Sequence, residues 1–378
     1  VPYKIQDTYP SDIEGEIYLN NCDGSFSEKP YAKISLSKYL DWIYVCDING
    51  DGIDDIIPYE IQYDAVGAFE LVRFNVFVVS DGGFLNKNTY EYERFVTLMP
   101  GNYIDRNNCC ILVVDAYDGK KNKDLVECIY LKDGELVSEE IQESNAINGK
   151  EDIKCVAVDI SGDGVSELLS LNKDDYKVYR ISDEDGLKLE TYCEGTELTN
   201  KMHLFPNDYN GDGKIDMLYY DPARLWNMAM STGDAFSDPV SCMKNNLFQR
   251  IRLNDADKYR YSLKEMQKPT IAIRTADFDG DGTADVGVFN NFAGNYYLEV
   301  GFSPYCDSRS SCSFMYSKRY NMPINYTHQT IQLGRFLPQE NISILSGLPR
   351  NPSNYAKSHI VSLCPNSAYY SVEQIVDG

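Results

Sequence analysis

Ala276-Asp277-Phe278-Asp279-Gly280-Asp281-Gly282-Thr283-Ala284-Asp285-Val286-Gly287-Val288-Phe289 is the stretch on which the reading of the whole chain turns. Asp277, Asp279 and Asp281, at positions 1, 3 and 5 of a nine-residue turn, crowd hard oxygens into a small volume, a donor set suited to a hard cation such as calcium. Gly280 and Gly282, at positions 4 and 6, supply the positive-φ conformations that such a turn needs. Asp285, at position 9, closes the cage from the first residue of a β-rich run.

The pattern recurs three times, as Asp47, Asn49, Asp51 and Asp55; as Asp159, Ser161, Asp163 and Glu167; and as Asp208, Asn210, Asp212 and Asp216. An EF-hand needs an acid at position 12 and flanking helices, whereas here position 12 holds Pro58, Ser170, Tyr219 and Val288. Each loop instead follows a run such as Trp42-Ile43-Tyr44-Val45 and precedes another such as Met217-Leu218-Tyr219-Tyr220, so it joins two strands. A dockerin, with its helical repeats, fails on the same ground.

Thirty tyrosines and fifteen phenylalanines, with no long helical periodicity, favour an all-β chain. After each loop comes a further strand and an Asp-Gly turn, as in Cys128-Ile129-Tyr130-Leu131 before Asp133-Gly134. Two units carry degenerate loops: one read at Asp115, Asp118, Gly119 and Asp124, and one at Arg335, Leu337, Gln339 and Ser343, where the arginine can replace a cation's charge. Loop starts at 47, 115, 159, 208, 277 and 335 are spaced as the blades of a four-stranded β-propeller. The expectation is a single propeller over residues 1–378, of six to seven four-stranded blades with the Asp-rich loops between inner strands. Its units lie near 41–107, 108–152, 153–201, 202–270, 271–329 and 330–378, with 1–40 a partial or closing blade.

The formal net charge of −23 is partly explained by the loops, which hold three acids at ligand positions in each of the first three and four in the last. Four bound calcium ions would bring it to about −15. That balance argues against nucleic acid and anionic membranes as partners. The longest apolar run, Cys109 to Val114, is too short to span a bilayer. The amino terminus, Val1-Pro2-Tyr3-Lys4, is not a signal peptide, so the expectation is a processed chain or a piece of a longer one. Eleven cysteines without a C-x-x-C pair give no zinc or redox motif; Cys46, Cys110 and Cys155 read as buried strand thiols, and Cys306 and Cys312 bracket a turn that a local disulfide can close.

Together, the four loops and the Trp226 to Phe236 segment resemble the FG-GAP/VCBS calcium-loop repeats of integrin α-chain propellers and bacterial surface proteins. That resemblance implies structural calcium, about four ions, held by side chains at positions 1, 3, 5 and 9 and by the position 7 carbonyls of Ile53, Val165, Lys214 and Thr283. The segments Gln332 to Phe336, Ser343 to Leu345 and Val372 to Gly378 resemble the last blade of propellers in Rhs/YD-repeat and SpvB/TcB-like toxin proteins. The implied function is a non-enzymatic platform of a secreted or surface-delivered bacterial toxin or adhesin, with a protein or glycan partner on one face, other toxin-complex subunits among the candidates. The alternative is a carbohydrate-binding propeller or a polysaccharide-lyase-like, carbohydrate-active one.

No catalytic residue is singled out. The histidines at 203, 328 and 359 are scattered and sit in no Ser/His/Asp or Cys/His setting, and Gly119-Lys120-Lys121 lacks the upstream glycine of a phosphate loop. Trp42 and Trp226 invite a sugar-stacking role, but aromatics at strand positions usually pack between blades. Asn325 and Asn341 are glycan acceptors only in a eukaryotic secretory setting.

Overall fold

The computed structural model describes residues 12–17, 32–37, 40–52, 54–64, 69–80, 83–115, 126–142, 154–183, 186–221, 223–242, 271–278, 281–292, 295–307, 311–322, 331–334, 343–346, 359–363 and 370–372. An antiparallel pair, β1 (Asp12–Ile17) and β2 (Ala32–Ser37), comes first. Four-stranded antiparallel sheets then succeed one another, each with its strands in chain order. The first holds β3 (Leu40–Cys46), β4 (Asp55–Tyr63), β5 (Phe69–Ser80) and β6 (Gly83–Tyr92). The second holds β7 (Val96–Gly101), β8 (Cys110–Asp115), β9 (Val126–Lys132) and β10 (Glu135–Glu140). The third holds β11 (Lys154–Val158), β12 (Glu167–Leu171), β13 (Tyr176–Ser182) and β14 (Lys188–Gly195). The fourth holds β15 (His203–Asn207), β16 (Asp216–Asp221), β17 (Leu225–Ala229) and β18 (Val240–Ser241). The fifth holds β19 (Ile271–Ala276), β20 (Asp285–Phe292), β21 (Asn295–Asp307) and β22 (Ser311–Met322).

These sheets are the blades of a propeller, and the side-chain period of two shows how they stack. In β16, Met217 and Tyr219 pack with Leu169, Leu171 and Val178 of the third blade, while Leu218 and Tyr220 pack with Val286 and Val288 of the fifth. In β12, Leu168 faces Cys110, Leu112 and Cys128 of the second blade. Ile57, Tyr59 and Ile61 of the first blade share a core with Leu98, Ile111 and Val113 of the second. A second strand therefore buries both faces, which is why β12 is buried at every residue. Trp226, fully buried and edge-on to Tyr220 at 5.3 Å, anchors the join between fourth and fifth blades. Burying a Trp removes roughly 150–250 Å², worth about 4–6 kcal/mol of hydrophobic stabilisation.

The packing so defined joins five blades, not the six to seven expected. A further four strands, β23 (Ile331–Gly334), β24 (Ser343–Ser346), β25 (His359–Leu363) and β26 (Tyr370–Val372), pair in the same order, and β23 runs beside both β19 and β3. Their side chains lie outside the described residues, as does the rest of 1–40 beyond β1, β2 and Leu40.

Register corrects a second expectation. The last residue of each inner strand pairs with the first of the next: Cys46 with Asp55, Val158 with Glu167, Asn207 with Asp216, Ala276 with Asp285 and Gly334 with Ser343. In the second blade the equivalent pair is Gly101 with Cys110. The degenerate loop of that blade is therefore Asn102 to Cys110 and not Asp115 to Asp124, and the boundary between first and second units falls between Tyr92 and Val96 rather than at 107/108. The hydrophobic run of β8 misled the reading, because a buried second strand and an inner strand have the same apolar pattern. Cys110 accordingly leaves the loop instead of entering it. Cys306 and Cys312 face each other across β21 and β22.

Candidate cation-binding loops

Every described acidic loop is folded by its own carboxylates. In the loop at 208, Asp208 Oδ1 accepts from the Gly211 N–H at 2.7 Å and its Oδ2 from the Gly213 N–H at 2.8 Å. The turn this requires puts Gly211 at φ 75° and Gly213 at φ 83°, a region that costs an L-residue strain. Asp47 accepts likewise from Gly50 and Gly52, each at 2.7 Å, Asp159 from Gly162 and Gly164 at 2.7 and 2.8 Å, and Asp277 from Gly282 at 3.0 Å.

The acid at position 9 closes the loop from the other side. Asp55, Glu167, Asp216 and Asp285, all at 0% exposure, accept from the backbone N–H of Ile48, Ile160, Tyr209 and Phe278 at 2.9, 2.9, 3.1 and 2.8 Å. Those four position 2 residues are themselves buried, and Tyr103 occupies the same place in the loop at 102. They form the apolar nail of each loop. Sequence reading passed over them, although an apolar side chain directly after the first acid of each loop was the visible sign.

Neighbouring loops are tied together. The N–H at position 8 donates to the position 1 carbonyl of the preceding blade's loop: Cys109 to Asp47 at 2.8 Å, Ser166 to Asn102 at 2.9 Å, Ile215 to Asp159 and Ala284 to Asp208 at 2.7 Å. Gly50 and Gly162 abut the following loops so closely that a Cβ would come within 2.6 Å of Asn108 and 2.9 Å of Lys214. The loop at 102 keeps this place without acidic ligands; its Asp105 Oδ1 accepts from Asn107 and Asn108 at 2.8 and 3.0 Å.

What fills the loops differs. At 47, Asp51 is exposed and its carboxylate accepts from the Asn49 amide at 2.9 Å. At 208, Lys214 Nζ reaches Asp212 Oδ2 at 2.9 Å from the rim. Burial, opposed by the Ser231 and Tyr209 N–H groups but reinforced by Asp212 and Asp208, pushes the Asp216 carboxyl up to about 7. Burial also works against charge on Asp212, yet Lys214 outweighs it and holds that carboxyl below its ordinary value. At 277, Thr283 donates to Asp281 Oδ1 through both N–H and hydroxyl, at 2.8 and 2.7 Å. Hard oxygens on Asp47, Asn49 and Asp51, on Asp208, Asn210 and Asp212, and on Asp277 and Asp281 could hold a divalent cation. Ile53 and Asp279 lie outside the described residues, as does Arg335.

At 159 the carboxylates of Asp159, Asp163 and Glu167 converge to within 4.8 Å of one another, and a side chain already lies among them. Arg180 of β13 places Nη2 at 2.8 Å from Ser161 Oγ, 2.9 Å from Asp163 Oδ2 and 2.7 Å from Glu167 Oε1, with Nε at 2.8 Å from the same Glu167 oxygen. Its guanidinium lies 4.2 Å from the centre of the Tyr192 ring. Burial opposes charge on Asp163, but the Val165 N–H and Arg180 prevail and lower its titration; on the more deeply buried Glu167, burial wins and raises it. Arg180 was not among the residues singled out from sequence.

Compared with protein-family models and with curated proteins, the chain has no match. Among solved structures it is similar to an Agrocybe aegerita lectin described as recognising non-reducing terminal N-acetylglucosamine, at 16% identity and a TM-score of 0.47, over 82% of this chain and 76% of the lectin. It is also similar to the exotype rhamnogalacturonan lyase YesX, at 13% identity and a TM-score of 0.38, over 97% of this chain and 61% of the lyase.

Proposed function

We propose that the chain is a non-enzymatic β-propeller, braced by calcium in the loops at 47, 208 and 277, that presents a binding platform to a protein or glycan partner. The observation that carries this reading is the repetition of one loop geometry at 47, 208 and 277. At 47 and 208 a position 1 carboxylate is fixed by glycine N–H groups and a buried position 9 acid by the position 2 N–H, with side-chain oxygens of positions 3 and 5 beside them, and the loop at 277 repeats the position 1 and position 9 contacts. A cation there would supply charge compensation and hold the hairpin between inner strands; the series of inter-loop hydrogen bonds would pass that bracing from blade to blade. The loops hold the frame and leave recognition to other surfaces. The resemblance of the segments Gln332 to Phe336, Ser343 to Leu345 and Val372 to Gly378 to Rhs/Tc-like propellers supports a secreted or surface-delivered bacterial setting for the platform.

Calorimetric titration of calcium into chelator-stripped protein, with thermal melts alongside, tests the bracing. Binding with a rise in melting temperature is expected. Absence of binding would remove calcium from the reading. A turnover screen on acidic polysaccharides tests the non-enzymatic assignment, and depolymerisation would replace it with the lyase-like alternative.

A further inference from the structure

The loop at 159 is built like its neighbours and filled unlike them. One residue beyond the paired Leu168 and Tyr179, Arg180 stands across from the position 9 acid Glu167. The same step in the other blades, beyond Ile56 and Phe77, Met217 and Ala229, and Val286 and Gly301, leads to Val78, Met230 and Phe302. Three of the four acidic loops thus face an apolar side chain at this register and one faces a guanidinium.

We propose that Arg180 is the resident cation of the loop at 159, and that this loop takes no metal ion; the proposal rests on the calcium reading for the other three loops. Three features of the loop agree with it. Ser161 stands at position 3, where the other loops have Asp or Asn, so the loop offers a metal one strong ligand fewer, whereas a hydroxyl accepts an Arg N–H well. The position 9 acid is Glu, the longer side chain, and its Oε1 meets both Nε and Nη2 of the guanidinium while Oε2 keeps the Ile160 N–H. The Tyr192 ring, 4.2 Å from the guanidinium carbon, adds a cation–π contact, so the cation is held by a ring as well as by carboxylates. A metal ion entering this loop must first expel Arg180 from all of these partners. The loop at 159 therefore keeps its shape at calcium concentrations that empty the others, and the third blade is the permanently closed segment of a ring whose other acidic loops respond to calcium.

The test is calcium titration by calorimetry into chelator-stripped wild-type protein, an Asp163→Asn variant and an Arg180→Gln/Ser161→Asp double variant. Wild type and Asp163→Asn are expected to bind the same number of ions, and the double variant one more. Loss of an ion in Asp163→Asn overturns the proposal, as does a folded double variant that gains none. Should wild type bind no calcium, the bracing of the other loops fails; a double variant that then binds one ion upholds Arg180 as the resident cation, and one that binds none overturns it. If the double variant does not fold, Arg180→Lys replaces it: a compact ammonium cannot reproduce the forked contacts, and a melting temperature unchanged from wild type in chelator overturns the proposal.

Discussion

The loops at 159 and 208 sit side by side, linked by the Ile215 N–H to Asp159 carbonyl bond of 2.7 Å, and share the same turn, glycines at the same two positions and a buried acid at position 9. One has its charge answered from within the fold by Arg180; the other has Lys214 at its rim and an Asp216 that burial pushes up to about 7. A loop motif thus specifies a backbone shape and a set of oxygens; on the proposed reading, the cation that completes it comes from solution at 208 and from a neighbouring strand at 159.

Calcium removal should separate the two most strongly. A site held at a hundredfold over its Kd contributes about 2.7 kcal/mol, so emptying three loops would cost on the order of 8 kcal/mol. Melting with and without chelator measures this, and hydrogen exchange should show the hairpin around 208 opening while that around 159 stays protected. Equal loss of protection in both hairpins would break the comparison.

Next in size is the pH response of the metal-free protein. A carboxyl that titrates near 7 when folded, against an ordinary 3.8, binds its proton more tightly in the native state. Its contribution is present below about pH 4 and lost as pH rises through 7, by up to about 4 kcal/mol. Denaturant midpoints at pH 5 and pH 8 in chelator should therefore show lower stability at pH 8, and Asp216→Asn should flatten the difference. A metal-free protein equally stable at both values would contradict the assignment.

Arg180→Ala follows. Stripping the partner from a fully buried Glu167 costs about 2–3 kcal/mol, less than the roughly 3–5 kcal/mol of a wholly buried pair because Arg180 is 34% exposed. Measured in chelator, that loss should exceed the loss from Met230→Ala at the equivalent register of the next blade. The smallest effect lies in the glycines. Gly162→Ala and Gly213→Ala both force a side chain to positive φ, for about 1 kcal/mol. Gly162→Ala should cost more, since its Cβ would also meet Lys214 at 2.9 Å whereas nothing lies within 4 Å of Gly213. Reversal of that order in urea unfolding would show that the loops do not pack in solution as described.

Much of the frame was legible in the chain. Acid spacing located the hairpins at 47, 159, 208 and 277, because a nine-residue turn with glycines at positions 4 and 6 has few ways to fold. The loop at 102 was missed, since Asn102 to Cys110 keeps the length but not the acids, and length alone leaves no mark in a sequence. Arg180 was missed for another reason: it is thirteen residues beyond Glu167, and only the pairing of β12 with β13 brings the two together.

The sequence by itself determined the local things: an all-β chain, hairpin loops rich in hard oxygens, and a unit repeated along its length, each set by spacing and turn chemistry within a few residues. The tertiary structure decided how the blades meet and what answers each loop's charge. Those depend on strand register and on which side chains from other strands arrive at the same place, and a carboxylate cannot signal in one dimension whether its counter-charge will be an ion or an arginine.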